Sequence, residues 1–555
     1  MKRREEKMNF LNSGEGYTLF KEAARTAAYV DKTLMIDSLY RYVMSGSKYI
    51  CVTRPRRFGK SVAANMIAAF FDKSTREQSS QLFEKCRLGR LRGEQEKIWS
   101  ADPSGLEAGK LCWPSQGRLN VIRMNMIRML NNKVRTYADY LSKIEALMKD
   151  DLWQAYPDLV MESQYAIPDL LNKTGDSFVF VIDEWDAVFE ESFMTQADKQ
   201  NYLKFLRSLF KDTGYVCFAY MTGILPIAQY TSGSPLNMFR EFSAFQDNQF
   251  YPYFGLSEEE IQKLMQMKGI PRPSVEELTF WYDGYSRPHD GKTMFNPESV
   301  SCALMDGRCE SYWTGTGPMN EVRDSIRHNV MDLREDVVRM AGGETLPIRL
   351  SGFSTEKEKI STKDEILSSM VVYGFLSYFE EQMRIPNHEL MLKFQEALSS
   401  QKLGLRQTLE ESGRLLRTTL EQRDREVAAL FEDLHTEKIP FYSYSDENAL
   451  ACVVTIGYLA ALDDYRINRE DKAGKGYADF TFEPRNRKAV PIILELKVNR
   501  SVNHALRCIK EKEYIRRFRD YPNVLLVGIN YSEKTKKHTC RTERIKPEDF
   551  LKTAQ

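Results

Sequence analysis

A short loop that joins an apolar stretch to a helix-forming stretch constrains the fold of this chain more than any other feature. The loop, residues 54–61, ends in Gly-Lys-Ser; residues 49–52 before it are apolar, and residues 62–71 after it favour a helix. A strand, a tight loop of this type and a helix form a binding site for nucleotide phosphates, because backbone N–H groups at a helix N-terminus attract anions. The predicted nucleotide-binding residues are Arg57, Phe58, Gly59, Lys60, Ser61 and Val62.

Two side chains of this loop have specific roles in the prediction. Lys60 is expected to reach the β- and γ-phosphates, and the Ser61 hydroxyl to bind Mg²⁺. The complete motif has a glycine in place of Arg54, however, and a Gly-Lys-Ser triplet also occurs by chance in a surface turn that starts an ordinary helix. Both interpretations remain open from the loop alone.

A second signal follows later in the chain, where the apolar residues 178–182 end in Asp183 and Glu184. A continuous apolar stretch of this length is typical of a buried parallel strand. Asp183 is expected to accept hydrogen bonds from Mg²⁺-bound water, and Glu184 to orient or deprotonate the attacking water. A strand that merely ends in an acidic residue is common, but the ordered pair of signals favours a nucleotide-hydrolysing domain.

A third apolar stretch, residues 215–221, ends at Thr222 and fits the same sheet. A polar side chain in this position can sense the γ-phosphate. A hydroxyl that simply closes a strand explains Thr222 equally well.

Composition narrows the class of protein. The 555 residues are 42% apolar and 28% charged, which indicates a globular chain of several domains. The net charge of +1 gives no overall attraction to nucleic acid, so such binding would need a local patch. No apolar window is long enough to cross a membrane. Nine scattered cysteines and six unclustered histidines argue for reduced thiols, a cytoplasmic location and no zinc site.

A second chemical constellation lies near the C-terminal end. Asp479 stands in the alternating stretch 476–482, and Glu495 and Lys497 stand in the stretch 492–497 after a turn. Alternate residues of a strand share a face, so Glu495 and Lys497 point the same way and Asp479 can converge on them from the neighbouring strand. Two carboxylates suit a divalent ion, and the lysine would position the nucleophile or offset developing charge. Glu447 could add a third carboxylate. Solvated cross-strand ion pairs are the alternative explanation.

The motifs at both ends together resemble those of a prokaryotic family that joins an AAA-ATPase-like domain to a PD-(D/E)xK nuclease-superfamily domain. The matching stretches are residues 29–33, 54–61, 182–186, 222–226, 281–285, 296–297, 311–313, 385–387, 476–479 and 494–497. The family carries arginine at the position of Arg54, so the resemblance implies an intact loop. It also implies ATP over GTP. Tyr477 and Cys508 depart from the arginine and glutamine that are usual in the family, which puts substrate contacts in doubt but not the fold.

The predicted fold class is therefore α/β: a P-loop, AAA-like parallel-sheet domain, a helical middle region and a restriction-endonuclease-like C-terminal domain. The predicted boundaries are 1–255 for the ATPase domain, 256–345 for a helical lid-like region, 346–435 for a small connecting domain and 436–555 for the nuclease-like domain. Within the middle, Ser257 and Glu260 form a capping box, and residues 371–373 and 375–378 are expected to form a pair of short strands after a helix.

Two functions remain open from the sequence. In the first, the chain is an ATPase coupled to a Mg²⁺-dependent nuclease, with catalytic residues Lys60, Glu184, Asp479, Glu495 and Lys497 and metal ligands Ser61, Asp183, Asp479, Glu495 and Glu447. In the second, it is a nucleotide-switched module whose C-terminal domain grips DNA, RNA or a protein without cutting. ATP and Mg²⁺ are the expected ligands, no membrane partner is expected, and the oligomeric state is left open.

Overall fold

The computed structural model describes residues 8–26, 28–91, 115–159, 165–227, 236–245, 247, 249–312, 333–341, 344–350, 362–398, 405–434, 450, 453–455, 457–462, 464–473, 476–486 and 488–553. These residues form two compact units. The first is drawn from residues 1–314, 348–381 and 386–389, and the second from residues 315–347, 382–385 and 390–555. The finer division of the chain into four segments stays a prediction.

The first unit contains a five-stranded sheet with strand order β2-β3-β4-β1-β5, and every neighbouring pair in it is parallel. This confirms the predicted α/β fold with a parallel sheet. Its strands are β1 (Tyr49–Thr53), β2 (Asn120–Asn125), β3 (Phe178–Asp183), β4 (Val216–Gly223) and β5 (Arg240–Phe242). The three central strands are buried along almost their whole length, as expected for a sheet covered on both faces.

Helices that connect and cover this sheet follow the apolar periodicity of the sequence. They are α1 (Glu15–Ala24), α2 (Met35–Met44), α3 (Lys60–Phe71), α4 (Arg76–Glu84), α5 (Tyr137–Ala155), α6 (Ile167–Lys173) and α7 (Gln196–Phe210). α3 packs against α1, β3 and β4. It starts immediately after the predicted phosphate loop, which therefore lies at the carboxyl end of β1.

Further elements follow β5 in the chain and are divided between the two units. They are α8 (Glu258–Lys268), α9 (Val275–Tyr282), β6 (Tyr285–Ser286), β7 (Thr293–Met294), α10 (Pro297–Asp306), α11 (Leu333–Ala341), β8 (Leu346–Pro347), α12 (Lys363–Tyr373), β9 (Ser377–Phe379), β10 (Gln382–Arg384), α13 (His388–Leu398), α14 (Leu405–Leu420) and α15 (Asp424–Asp433). The predicted capping box is confirmed, because Ser257 Oγ accepts from Glu260 N and the Glu260 carboxylate accepts from Ser257 N.

The prediction of a strand at residues 371–373 is wrong. These residues are the last turn of α12, which begins at a capping box between Thr362 and Glu365 and ends where Gly374 adopts φ 84°. Nearly all of α12 is buried. The end of this helix, residues 370–373, is a short apolar run with two β-branched valines, and such a run cannot be told from a buried strand by periodicity.

The second unit contains a sheet of order β11-β12-β13-β14-β15, in which only β13 and β14 are parallel. Its strands are β11 (Tyr465–Ala473), β12 (Gly476–Pro484), β13 (Ile492–Val498), β14 (Val524–Ser532) and β15 (Lys537–Ile545), with helices α16 (Val502–Glu511) and α17 (Pro547–Thr553). The predicted hairpin is confirmed. The sequence also predicts a helix over residues 504–519 and a strand over residues 524–529; the helix ends earlier, at Glu511, and the strand is β14. Sequence reasoning missed β11 and β15.

Candidate active sites

The phosphate loop has the backbone form that its predicted role requires. Gly59 and Arg57 adopt left-handed conformations, with φ 83° and 70°, and α3 begins at Lys60. Lys60 is buried, and its Nζ donates to the carbonyl oxygen of Pro55 across the loop at 2.8 Å. Burial lowers the pKa of Lys60 to about 8, while the charges of Asp186, Glu184 and Asp183 act to raise it.

The remaining loop side chains extend away from this backbone. Arg57 Nη1 donates to the carbonyl oxygen of Tyr312 at 2.7 Å. Phe58 is buried and meets the Tyr285 ring edge-on, with 4.9 Å between the ring centroids. Val62 is exposed on the first turn of α3.

Arg54, which replaces the first glycine of the motif, serves the structure of the loop. Its side chain is buried and forms an ion pair with the buried Asp247. Arg54 Nη1 also donates to the carbonyl oxygens of Thr53 at 2.7 Å and Phe242 at 2.9 Å. The guanidinium therefore ties the end of β1 to the end of β5 and to the segment that follows β5.

The strand-end carboxylates lie at the same edge of the sheet as the loop. Asp183 is buried at the end of β3, in register with Asn125 of β2 and Thr222 of β4. Asp183 Oδ2 accepts from Asn125 Nδ2 at 3.1 Å, whereas Oδ1 has no hydrogen-bond partner among the described residues. Burial raises the pKa of Asp183, and the Ser61 hydroxyl and Arg123 lower it.

Glu184 occupies the turn directly after β3 in an unusual backbone conformation. Its φ is 55°, in the left-handed region that few residues other than glycine adopt. Burial raises the pKa of the Glu184 carboxyl, and the neighbouring Asp183 charge raises it further. A half-buried carboxylate with a raised pKa is a suitable base for a water molecule.

The Thr222 hydroxyl is fully buried and donates to the carbonyl oxygen of Val52 at 2.8 Å. This hydrogen bond is the strand-closing role that was the alternative explanation for Thr222. A γ-phosphate contact by Thr222 stays a prediction.

Sequence reasoning missed two side chains at this edge. Asn125 follows the apolar stretch of β2, so its position at a strand end was a readable signal. Asp186 lies three residues after Asp183, is buried, and is the first of the charges that raise the pKa of Lys60. The stretch 182–186 that carries the family resemblance includes Asp186, but its spacing alone assigns this residue no role.

The second candidate site lies on β12 and β13. Ladder pairing between these strands runs from residues 480–482 to residues 492–494. Asp479 stands where the strands part, and its Oδ2 accepts from Leu496 N at 2.6 Å. Leu494 and Leu496 pack into one core and Ile493 into another, so Glu495 shares the Ile493 face, which α16 covers. The predicted alternation along β13 is thereby confirmed.

Glu495 and Lys497 are in direct contact on this face. Lys497 Nζ donates to Glu495 Oε1 at 3.1 Å and to the carbonyl oxygen of Leu496 at 2.6 Å. Glu495 is buried, and its Oε2 has no hydrogen-bond partner within the part of the chain that the structure describes. Burial and the Asp479 charge raise the pKa of Glu495 to about 7, and Lys497 opposes the shift.

Lys512 and Tyr514, just after α16, were not predicted. The charge of Lys512 acts to lower the pKa of Glu495, and Tyr514 is buried. Burial raises the pKa of Tyr514, with smaller contributions from Glu495 and Asp479. Glu447, the proposed third carboxylate, lies outside the described residues, as does the Tyr477 side chain. Cys508 is half-buried, with its Sγ 3.8 Å from His504 Nε2.

The donor chemistry at both sites fits a hard divalent cation. Carboxylate and hydroxyl oxygens are the ligands that Mg²⁺ prefers, and each site contains a buried carboxylate oxygen that lacks a partner among the described residues. Within the same residues, no group of three His, Cys, Asp or Glu side chains is arranged to hold a metal ion. The protein ligands would then number one or two, as is common where water and phosphate oxygens complete the shell.

No described helix is long and apolar enough to cross a membrane.

Family models match two segments of the chain. Residues 16–231 match a family model described as a predicted AAA-ATPase, and residues 445–540 match the PD-(D/E)XK nuclease superfamily. An uncharacterized protein in the vnfD 5′ region of Azotobacter chroococcum mcd 1 is 24% identical over 92% of this chain and 93% of its own length.

Two solved structures are similar to part of this chain, with low identity and low TM-scores. The Walker-type ATPase PABY2304 of Pyrococcus abyssi has 11% identity and a TM-score of 0.32, covering 64% of this chain and 94% of that one. The ORC2 protein of Aeropyrum pernix, determined in ADPNP–ADP complexes, has 10% identity and a TM-score of 0.29, covering 72% and 96%.

Proposed function

We propose that this chain, which joins an AAA-ATPase-like domain to a PD-(D/E)XK nuclease-superfamily domain, binds and hydrolyses ATP and uses its C-terminal domain as a Mg²⁺-dependent nuclease. The observation that carries the first half is the meeting of loop and carboxylates at one edge of the sheet. β1, which leads to Lys60, and β3, which ends in Asp183, both pair with β4. The charges of Asp183, Glu184 and Asp186 reach Lys60 and oppose the burial that lowers its pKa. Chance motifs would have no reason to meet in this way.

In the proposed mechanism, the loop holds the triphosphate and the strand ends provide the chemistry. Backbone N–H groups before α3 bind phosphate oxygens, and the Lys60 ammonium moves from the Pro55 carbonyl to the β- and γ-phosphates. Ser61 and Asp183 would hold Mg²⁺, which when bound neutralises phosphate charge. Glu184 accepts the proton of the attacking water.

The test of this half is hydrolysis by the pure, full-length protein. We expect release of phosphate from ATP, loss of ATP binding in Lys60→Ala, and retained binding with lost turnover in Glu184→Gln. GTP in the same assay tests whether the site selects adenine over guanine. Turnover that survives in both variants would show that a contaminant or another site is responsible.

The second half rests on Asp479, Glu495 and Lys497. The two carboxylates would hold Mg²⁺, which when bound lowers the pKa of a water molecule and stabilises charge on the scissile phosphate. Lys497 Nζ donates to Glu495 Oε1. From this position the ammonium group can orient the nucleophile or offset the negative charge that develops on the phosphate. The attacking water forms a new P–O bond, and the P–O bond to the leaving sugar oxygen breaks. The hydrogen bond from Leu496 N holds the Asp479 carboxylate in place.

Incubation with plasmid DNA and with RNA, in Mg²⁺ or Mn²⁺ and with or without ATP, tests this half. We expect cleavage that is lost in Asp479→Ala and retained in Glu543→Gln. Glu543 is a matched control because it is a carboxylate of the same sheet, paired with Lys510 at 2.7 Å. Equal cleavage by Asp479→Ala would refute the assignment.

The alternative function is a module that binds nucleic acid or a protein without cutting. It is favoured by Tyr477 and Cys508, which stand where the family usually has arginine and glutamine. It predicts nucleic-acid affinity without cleavage, and calorimetry that finds no Mg²⁺ or Mn²⁺ bound by the wild type. Divalent-ion binding that Asp479→Ala abolishes would favour the nuclease.

A further inference from the structure

We propose that Asp186 is a positioning residue for ATP hydrolysis: it clamps the turn after β3 onto the turn after β4 and so holds Glu184 in place. The inference rests on the proposed ATPase function. It concerns how the site is held together and assigns Asp186 no contact with substrate or metal.

The clamp consists of three hydrogen bonds between two turns that are distant in sequence. Asp186 Oδ2 accepts from Ile224 N at 2.9 Å and from Leu225 N at 2.6 Å. In the opposite direction, Trp185 N donates to the carbonyl oxygen of Thr222 at 3.1 Å. The two residues that directly follow Glu184 are thus both tied to the segment that ends β4.

Close packing supports the same contact. A β-carbon added to Gly223 would lie 2.6 Å from Trp185 Cδ1 and would also overlap Asp186 Oδ1. A separation of 2.6 Å is shorter than non-bonded carbon atoms allow, since these approach to about 3.5–4.0 Å. Only glycine lets the two turns come this close.

The backbone of Glu184 shows why a clamp is needed. Its φ of 55° is unfavourable for a residue with a side chain, and such conformations persist only where the surroundings enforce them. Glu184 lies between Asp183, which is fixed in the sheet, and Trp185, which is fixed by the clamp and by the Tyr202 hydroxyl that donates to its carbonyl oxygen at 2.8 Å. With both neighbours fixed, the direction of the Glu184 Cα–Cβ bond is determined, and the carboxylate can reach only the region around it.

This arrangement separates positioning from binding. Loss of the clamp releases Glu184 while the phosphate loop stays intact, so turnover should fall and nucleotide affinity should persist. Misplacement of a reacting group by about 1 Å can cost about 100-fold in rate. Because backbone N–H groups need only an oxygen acceptor, asparagine can replace Asp186 in the clamp.

The experiment measures kcat for ATP and Kd for a fluorescent ATP analogue in full-length wild type, Asp186→Ala, Asp186→Asn and Gly223→Ala. Both quantities are measured well below pH 8, so that Lys60 stays protonated when the Asp186 charge, which raises the Lys60 pKa, is removed. We expect kcat to fall at least about tenfold in Asp186→Ala and Gly223→Ala, with Kd within about threefold of wild type. Asp186→Asn should retain most of the turnover. If Asp186→Ala does not fold, Gly223→Ala, which keeps the carboxylate, gives the same readout.

Asp151→Ala is the matched control. Asp151 is also fully buried in this unit, and its carboxylate also accepts from backbone N–H groups, those of Asn9, Phe10 and Leu11. Its loss should lower stability and leave kcat per folded molecule unchanged. An equal fall in kcat for Asp151→Ala and Asp186→Ala would overturn the proposal, as would an inactive Asp186→Asn, because the charge would then matter and not the clamp. A wild type without ATPase activity refutes the proposed function itself.

Discussion

Replacing Arg54 with glycine would complete the standard phosphate-loop motif, yet we expect Arg54→Gly to destabilise the protein and to leave ATP binding no tighter than in the wild type. The reason is that the Arg54 guanidinium is only 2% exposed and pairs with Asp247, which is equally buried. Removing one partner of a buried ion pair leaves an uncompensated charge, and this typically costs about 3–5 kcal/mol.

Other contacts of Arg54 act in the same direction. The substitution removes the donor to the carbonyl oxygens of Thr53 and Phe242, and it removes a cation placed 4.9 Å from the Phe254 ring centroid. Asp247 keeps the backbone N–H groups of Gln249 and Phe250, which limits the penalty. We therefore take about 3–5 kcal/mol as the expected loss, against a total domain stability of about 5–15 kcal/mol.

Thermal and urea unfolding measure this loss. For a domain of about 200 residues, 1 kcal/mol shifts Tm by about 2–4 °C, so a fall of about 6–20 °C is expected. A double-mutant cycle with Asp247→Asn should show coupling, since contacting residues deviate from additivity by about 0.5–3 kcal/mol. ATP affinity is measured well below Tm so that only folded protein is compared.

Two results would refute the reasoning. If Arg54→Gly unfolds at the wild-type temperature, the buried ion pair does not support the loop. If it binds ATP more tightly, Arg54 is a defect in the phosphate site and not a structural anchor.

Three further changes have defined outcomes. ATP affinity should fall as pH rises through about 8, because buried Lys60 then loses its proton; Lys60→Arg, which stays charged, should flatten this dependence in a titration of Kd against pH. Glu184→Gln should lower kcat by about 10²–10⁴-fold with Kd unchanged, measured by single-turnover hydrolysis. The pKa of Glu495 is raised from 4.5 to about 7, so the folded state binds the extra proton between these values; urea unfolding in EDTA should therefore show stability lost as pH rises from 4.5 through 7, and Glu495→Gln should remove that loss.

Sequence patterns are sufficient where the order of apolar and polar residues matches the order of buried and exposed residues in the folded element. This holds for the strand and helix around the phosphate loop and for the hairpin that carries Asp479 and Glu495. The sequence therefore predicts these elements correctly. The same reasoning is wrong at residues 371–373, because a short apolar run with β-branched residues at the end of a largely buried helix has the same composition as a buried strand. Only the cap at Thr362 and the terminating Gly374 identify that segment as helix.

Long-range contacts set the limit of prediction at the loop. The loop pattern alone makes Arg54 a departure from the motif, and the resemblance implies an intact loop without giving a physical reason. That reason is Asp247, which lies 193 residues away in the chain and pairs with Arg54. Asp186 likewise reads as part of a turn until Ile224 and Leu225 are seen to donate to it. Neither partner is indicated by spacing, because the pairing of β1 with β5 brings Arg54 to Asp247 and the pairing of β3 with β4 brings Asp186 to Ile224 and Leu225.

Both sites contain a buried carboxylate oxygen without a partner among the described residues. These atoms are Asp183 Oδ1 in one site and Glu495 Oε2 in the other. A buried acceptor left unsatisfied costs about 1–3 kcal/mol, and more if it is charged. Orphaned polar atoms occur elsewhere, such as Ser368 Oγ, so the property alone does not define a site. These two oxygens differ in that each belongs to an acid whose pKa is raised by burial and lowered by a nearby lysine, Lys60 or Lys497. A cation that binds there would offset the cost, and the chain bears that cost at the two places where its sequence predicts a metal.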